Sequence, residues 1–360
     1  MYNTVEPSGV KYLLLQNSIM SEEFTTPDSS NQRRLYLKQH STPICVTKCM
    51  DSRVNFSLLT MTPSGVLQPW RNLGGRFGYG WPHFQELTRK WYKHASHDGS
   101  LKPLMVHTYH FSESKKELGC RGWNFDTEAS KKHCFELLNQ CERLFGARSV
   151  CAVSIGIETD TNALIVHSAD KTVLDMRTLP DPRLVLTSLT RMFPHFPSKV
   201  ITDFAHLLAG NSEHISRIKL SQRTPEETDH KEWALMVGRA FDWLHFPDLA
   251  LIVGPFDYSL ETPIRTAASL ILENIVSKRV DPNKYGIVMM SASPVYDRGN
   301  GIELSGARMK AEFLAALTMR IIERDFPTLA ECMYPLVGTV DMQTRIFHRQ
   351  DYDPSPSSFL

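Results

Sequence analysis

The run Cys49-Met50-Asp51-Ser52-Arg53 places a thiol, a carboxylate and a guanidinium at alternate positions. Alternate side chains of a strand point to the same face, so the three groups would share one side at a strand end. A cysteine thiolate can bind a metal ion, and an Asp–Arg pair beside it can orient a water molecule. By itself this spacing is compatible with a site that activates water, but a buried thiol at a strand end explains Cys49 as well, so the interpretation depends on the motifs that follow.

Further possible ligands lie downstream, at His107, His110 and Cys120. Zinc in catalytic sites is typically held by three protein ligands from cysteine, histidine and carboxylate side chains, with the fourth position left for water or substrate. Either histidine can complete a set with the two cysteines. Each histidine is also explained as an ordinary polar side chain, and Cys120 as a structural thiol in a turn.

The segment from Arg71 to Gly75 reads Arg-Asn-Leu-Gly-Gly. It lacks the Lys-Ser/Thr pair and the length of a phosphate-binding loop. We interpret it as backbone that approaches the site closely, where larger side chains would obstruct.

Strands and helices alternate along the chain, which predicts layered α/β architecture. Apolar runs predict strands over residues 43–49, 101–107, 150–157, 163–167, 249–253 and 285–290. Helical spacing predicts helices over 127–145, 262–278 and 305–325. The first helix has Asp126 or Thr127 as its cap and Gly146 at its end. The last helix is expected to bury a stripe made of Met309, Phe313, Leu314, Leu317, Ile321 and Ile322.

The domain organisation follows from these patterns. We expect a mobile N-terminal tail over 1–34, a zinc-containing catalytic domain over 35–190, a second α/β domain over 191–350 and a tail over 351–360. The C-terminal half has no second Cys-x-Asp-x-Arg run and no histidine–cysteine pair, so the second domain is expected to lack a metal site.

Composition narrows the function classes. The 360 residues carry 40 Lys and Arg against 39 Asp and Glu, and this balance gives no reason to expect nucleic acid or an anionic membrane as a partner. No apolar run approaches the roughly 20 residues of a membrane helix. The seven scattered cysteines argue against a disulfide framework. With no basic, apolar leader at the start, we expect a cytoplasmic protein.

At these motifs the chain resembles the β-type carbonic anhydrases, which carry Cys-x-Asp-x-Arg, a glycine-containing Arg-Asn segment and then His-x-x-Cys. Here His110 stands where that cysteine would be, and the next cysteine is Cys120. The insert between His110 and Cys120 is longer than in that family, and a run from Gly156 to Ala163 follows it. In both features the chain resembles the carboxysome shell carbonic anhydrases.

That resemblance implies a β-carbonic-anhydrase-like α/β domain followed by a degenerate copy without a metal site. It implies Zn²⁺ held by Cys49, His110 and Cys120, with His107 as the competing histidine. Carbon dioxide would be hydrated reversibly to bicarbonate through zinc-bound hydroxide, assisted by Asp51 and Arg53. It also implies a homodimer or higher homo-oligomer. A carboxysome location, with contact to the shell or the carbon-fixing enzyme, is a weaker implication, because only about 35 to 40 residues precede Cys45.

Two other functions fit the same residues. A related zinc hydrolase acting on carbon disulfide or carbonyl sulfide would need the same activated water. A non-catalytic shell or scaffold protein would keep zinc only for stability.

Overall fold

The computed structural model describes residues 6–97, 99–178, 182–221, 229–246 and 249–352, without the side chains of residues 182, 220 and 221. The chain forms two compact units. One contains Asn31–Cys49 and Arg53–Asp229, and the other contains Met1–Ser30, Met50–Ser52 and His230–Leu360. These units differ from the expected domain bounds of 35–190 and 191–350. Residues 353–360 of the expected C-terminal tail lie outside the described residues.

The N-terminal region is helical, which corrects the expectation of a mobile tail over 1–34. Helices α1 (Ser8–Thr25) and α2 (Pro27–Gln39) occupy most of it, and residues 1–5 lie outside the described part of the chain. The Asn17 amide donates to the Arg345 carbonyl at 2.9 Å and accepts from the Phe347 N–H at 2.8 Å. These partners lie more than 300 positions away, so local composition held no sign of them.

The first unit is built on a six-stranded sheet with strand order β2-β1-β3-β4-β5-β6. Its first four strands in that order are mutually parallel, and β5 and β6 follow antiparallel. The strands are β1 (Ile44–Cys49), β2 (Gln68–Asn72), β3 (Leu104–Phe111), β4 (Cys151–Glu158), β5 (Ala163–His167) and β6 (Val173–Asp175). The helices of this unit after α2 are α3 (Phe56–Leu59), α4 (Pro82–Ala95), α5 (Thr127–Phe145), α6 (Pro182–Met192) and α7 (Ser198–Ser221).

Local sequence explains the central elements of this unit. Every residue of β1 and of β4 is buried, as expected for parallel strands covered on both faces. The predicted helix over 127–145 is confirmed as α5. The Asp126 carboxylate accepts from the Ala129 N–H at 2.9 Å, and Gly146 ends the helix at φ 85°.

A buried carboxylate on α7, that of Asp203, fixes the chain just before β1 begins. Asp203 accepts from the Thr42 N–H at 2.9 Å and from the Lys199 ammonium at 2.7 Å, and its side chain is only 1% exposed. His40 Nδ1 lies 3.1 Å from the same carboxylate. Burial alone would raise the pKa of Asp203, but the hydrogen bonds from Lys199 and Thr42 outweigh it and lower that pKa.

The second unit repeats the strand order of the first. Its sheet has the order β11-β10-β9-β7-β8, with four parallel strands and an antiparallel fifth. In both units the order in space is second, first, third, fourth and fifth strand, and a long helix joins the third strand to the fourth. The elements are β7 (Ala234–Val237), β8 (Ala250–Val253), α8 (Glu261–Val276), α9 (Pro282–Tyr285), β9 (Ile287–Val295), α10 (Gly301–Asp325), α11 (Pro327–Cys332), β10 (Met333–Asp341) and β11 (Phe347–Arg349). The predicted fold class, two α/β domains, is confirmed.

The expected buried stripe of the last long helix is wrong in part. Met309 is 67% exposed and Phe313 51% exposed, while Leu317 is half-buried. The buried face of α10 is made of Ala307, Ala311, Leu314, Ala315, Thr318, Met319, Ile321 and Ile322. Small alanines let the helix backbone approach the sheet, so that the Ser291 hydroxyl of β9 donates to the Ala311 carbonyl at 2.7 Å. Met309 and Phe313 are turned outward.

Within the described residues, no helix has both the length and the apolar character needed to cross a bilayer.

Candidate metal centre

Three side chains that can bind a metal come together in the first unit. They are Cys49, His110 and Cys120, and all three are buried. One ligand atom from each lies within 4.8 Å of the other two, and the two Sγ atoms are 3.8 Å apart. No other group of three or more metal-binding side chains occurs in the described part of the chain.

The sheet explains how residues so far apart in sequence meet. Strands β1 and β3 are parallel neighbours with Thr47 opposite His107, so their carboxyl ends lie at the same edge. Cys49 is the last residue of β1, and His110 is the last but one of β3. The loop after β3 then folds back towards the sheet and brings Cys120 to the same edge as Cys49 and His110.

The donor set fits zinc. Two thiols and one imidazole are ligands that zinc prefers, and three protein ligands are typical of catalytic sites. With zinc–sulfur bonds of about 2.3 Å, a tetrahedral site separates two sulfurs by about 3.8 Å. The observed Sγ–Sγ distance of 3.8 Å agrees with this geometry.

His107, the competing histidine, lies outside the cluster. Its Nδ1 is 3.0 Å from the Thr47 hydroxyl, and its ring meets the Tyr79 ring edge-on. Complete burial, with a smaller contribution from His133, lowers the pKa of His107 to about 3, so its imidazole is neutral. His107 and His110 are three residues apart in one strand, so alternation turns them to opposite faces.

The glycines of the Arg71–Gly75 segment behave as the sequence indicates. Gly74 and Gly75 have φ values of 62° and 64°. A Cβ on Gly75 would lie 2.9 Å from the Thr108 carbonyl oxygen, and one on Gly74 would lie 2.8 Å from Trp123 Nε1. Gly75 therefore packs on backbone and Gly74 on the Trp123 side chain, in agreement with the interpretation of a close approach.

This backbone packs against the turn that carries Cys120. Gly122 faces Gly74 so closely that an added Cβ would lie 2.8 Å from the Gly74 nitrogen and Cα. The Trp123 indole N–H donates to the Gly74 carbonyl at 2.8 Å, and the Arg76 guanidinium lies 4.2 Å above the Trp123 ring. Sequence reasoning missed Trp123 and Arg76. The only signal was the glycine-flanked, turn-like setting of Cys120.

Asp51 and Arg53 are both buried, with 4% and 8% of their surface exposed. The Arg53 guanidinium donates from Nη2 to the Leu118 carbonyl at 2.9 Å. This bond links a residue four positions after Cys49 to one two positions before Cys120. The ion pair between Asp51 and Arg53 stays a prediction.

Two other cysteines of the first unit, Cys134 and Cys141, lie on the buried face of α5. Burial raises the pKa of each thiol to about 12, so both stay protonated at neutral pH. The Cys134 thiol donates to the His107 carbonyl at 3.0 Å. Their burial and these contacts identify both as small packing residues.

No family model and no curated protein matches the chain. Among solved structures, "The structure of the beta-carbonic anhydrase CcaA" aligns with 43% of this chain and 95% of that chain. The sequence identity is 15% and the TM-score is 0.27. Similarity at this level carries no argument about function.

Proposed function

We propose that this protein is a zinc enzyme that catalyses the reversible hydration of carbon dioxide to bicarbonate. The proposal is carried by the buried Cys49–His110–Cys120 cluster, whose ligand atoms lie within 4.8 Å of one another. Three protein ligands leave a fourth position for water, as catalytic zinc sites require. The Cys-x-Asp-x-Arg run beside the cluster adds the groups that such a site needs to direct that water.

Zinc, when bound by these three side chains, supplies a Lewis acid that brings the pKa of water from about 15.7 towards neutrality. Two thiolates reduce the effective charge of the metal, so neighbouring protein groups must favour the deprotonated water. A nearby cation meets this need, whereas a nearby hydrogen-bond acceptor serves to orient the water.

Asp51 is the proposed acceptor. Its carboxylate accepts a hydrogen bond from the reacting water and directs a lone pair of that oxygen towards the carbon of carbon dioxide. In water this carboxylate would be solvated and mobile, whereas here it is only 4% exposed, so its orientation costs little at the moment of reaction.

Arg53 is the proposed cation. Its guanidinium has five N–H donors, of which one bonds the Leu118 carbonyl at 2.9 Å. We propose that this guanidinium also forms a two-pronged pair with the Asp51 carboxylate, which holds the carboxylate away from the metal. Homodimer formation and a carboxysome location stay predictions.

Metal analysis and stopped-flow hydration together test the proposal. We expect reduced wild-type protein to hold one tightly bound zinc and to hydrate carbon dioxide. His110→Ala should lose the zinc, whereas His107→Ala, the matched control on the opposite face of β3, should retain it. A His110→Ala protein that still holds one tight zinc would refute the ligand assignment.

The Asp51→Ala variant separates chemistry from metal binding. Asp51→Ala should keep its zinc and lose most of its hydration rate, because the metal ligands are intact while the acceptor is gone. Carbon disulfide and carbonyl sulfide are assayed in parallel. Zinc-loaded protein that consumes only the sulfur compounds would assign the alternative hydrolase function. Zinc-loaded protein inert towards all three would indicate a structural site.

A further inference from the structure

The thiol of Cys120 must be held in place by a loop that is largely exposed. After β3 the chain forms a turn at Ser112–Lys115 and a single 3-10 turn, Lys116–Leu118, before Gly119 and Cys120. Residues 113–117 are exposed to solvent, so packing contributes little to their order. Metal sites tolerate errors of only about 0.2 Å in ligand position. Something besides packing must order this loop.

Asp160 bonds the start of the loop. Its carboxylate accepts from the Ser112 hydroxyl at 2.8 Å, the Ser114 N–H at 2.8 Å and the Glu113 N–H at 3.1 Å. Three donors on three successive residues fix the turn that follows His110. Partial burial would raise the pKa of Asp160, but the bonds from Ser114 and Ser112 dominate and lower it, so the carboxylate is charged.

Asp160 is itself held by its own turn between β4 and β5. The Glu158 carboxylate accepts from the Asp160 N–H and the Thr161 N–H, both at 2.9 Å. The Thr159 N–H and hydroxyl both donate to the Phe111 carbonyl, at 2.8 and 3.1 Å. Residues 158–161, which belong to the run from Gly156 to Ala163, are thus tied to the end of the strand that carries His110.

The far end of the loop has a second anchor. Arg53 donates to the Leu118 carbonyl at 2.9 Å, so only the short 3-10 segment lies between the two anchors. A surface ion pair between Arg177 and Glu113 also touches the loop, at 2.6 Å. Glu113 is 59% exposed, and exposed pairs of this kind contribute little. Asp160 is therefore the principal anchor of the first half of the loop.

We infer that Asp160 is a positioning residue of the metal centre, which holds the loop between His110 and Cys120 so that the Cys120 thiol meets the metal. This inference rests on the proposed function, because it takes Cys120 to be a zinc ligand. Removing the carboxylate should free three donors to water and let the thiol move, without touching any ligand. Outer partners of metal ligands typically contribute 10- to 100-fold to metal affinity.

The test compares Asp160→Ala and Asp160→Asn with Asp170→Ala. Asp170 is a matched control, because it accepts from the Ser168 hydroxyl and the Thr172 N–H in the turn between β5 and β6. Zinc affinity is measured by competition with a chromophoric chelator. The thiolate-to-cobalt absorption band of the Co²⁺-substituted protein reports how many thiols bind the metal. Urea unfolding of the metal-free proteins reports stability.

We expect a 10- to 100-fold loss of zinc affinity and a weaker cobalt–thiolate band in Asp160→Ala. Asp160→Asn, which keeps one acceptor oxygen, should fall between it and the wild type, and Asp170→Ala should match the wild type. Equal zinc affinity in Asp160→Ala and wild type would overturn the inference, as would an equal loss in Asp170→Ala.

Failure of the proposed function is distinguishable in the same experiment. Wild-type protein that binds zinc but does not hydrate carbon dioxide would refute the proposed reaction, while the zinc affinities would still decide the role of Asp160. Wild-type protein that binds no zinc would refute both.

Discussion

Gly122→Ala is the sharpest test of how the cysteine turn is built. The added Cβ would lie 2.8 Å from both the nitrogen and the Cα of Gly74. These are backbone atoms, so no side chain can rotate away to make room. To reach the 3.4 Å at which ordinary contact begins, the turn must move by about 0.6 Å.

That displacement has two measurable consequences. Overpacking of this kind costs roughly 1–3 kcal/mol of unfolding free energy. Cys120 lies two residues from the substitution, and a shift of about 0.6 Å exceeds the roughly 0.2 Å that a zinc–sulfur bond tolerates. We therefore expect zinc affinity to fall about 10- to 100-fold.

The assay is chelator competition for zinc, with urea unfolding of the metal-free protein beside it. Gly80→Ala is the matched control, because nothing lies within 4 Å of its added Cβ, and it should leave both quantities unchanged. If Gly122→Ala binds zinc as tightly as the wild type, then close packing of Gly122 on Gly74 does not position the thiol.

Three further predictions concern stability. Asp203→Ala should lower the unfolding free energy by roughly 1.5–3 kcal/mol at pH 7, because hydrogen bonds to a charged group are lost. The pKa of Asp203 is lower in the folded protein than in the unfolded chain, where it is about 3.9. The stabilising contribution is therefore complete above the unfolded pKa and is lost as the pH falls through the folded pKa. Over that range the urea midpoints of Asp203→Ala and the wild type should converge. The pKa of His107 is about 3 in the folded protein and about 6.5 in the unfolded chain, so the stability of the wild type should decline as the pH falls below about 6.5. In urea titrations His107→Gln should flatten that decline. An unchanged slope would contradict the burial of His107 as a neutral ring. Leu314→Ala should lower the unfolding free energy by about 2–5 kcal/mol, whereas Met309→Ala, at an exposed site, should change it by no more than about 0.5 kcal/mol. Thermal or urea unfolding measures both, and equal losses would contradict the observed buried face of α10.

The elements predicted well are those with strong signals in their own residues. Helix α5 begins and ends as predicted because Asp126 caps it and Gly146 stops it, and both act within one turn. The central parallel strands are continuous apolar runs, which burial on both faces requires. By contrast, α1 was missed because the groups that hold Asn17 belong to residues 345 and 347.

The predicted buried stripe of α10 was wrong in part for a related reason. Helical spacing shows which side chains share a face, but it does not show how closely the helix backbone approaches the sheet. Here alanines permit a close approach, and Met309 and Phe313 point outward. The residues of the two halves show no repeat from which the common strand order could be read, because sheet topology repeats without residues repeating; a copy was expected only from the family resemblance.

For the metal centre, the sequence by itself determined the chemistry. Thiol, imidazole, carboxylate and guanidinium are properties of Cys49, His110, Cys120, Asp51 and Arg53 whatever the fold. Their types and spacing, together with the resemblance to the β-type carbonic anhydrases, led to the prediction of zinc and activated water.

Only the tertiary structure decided which groups meet. The pairing of β1 with β3 brings the carboxyl ends of both strands to one edge, and there His110, near the end of β3, meets the cysteines, whereas His107 lies further back along the strand. Bonds between residues 46 to 48 positions apart hold the loop that carries Cys120. Such contacts depend on the register of the strands and on the path that the chain takes between them, and no local sequence pattern encodes either.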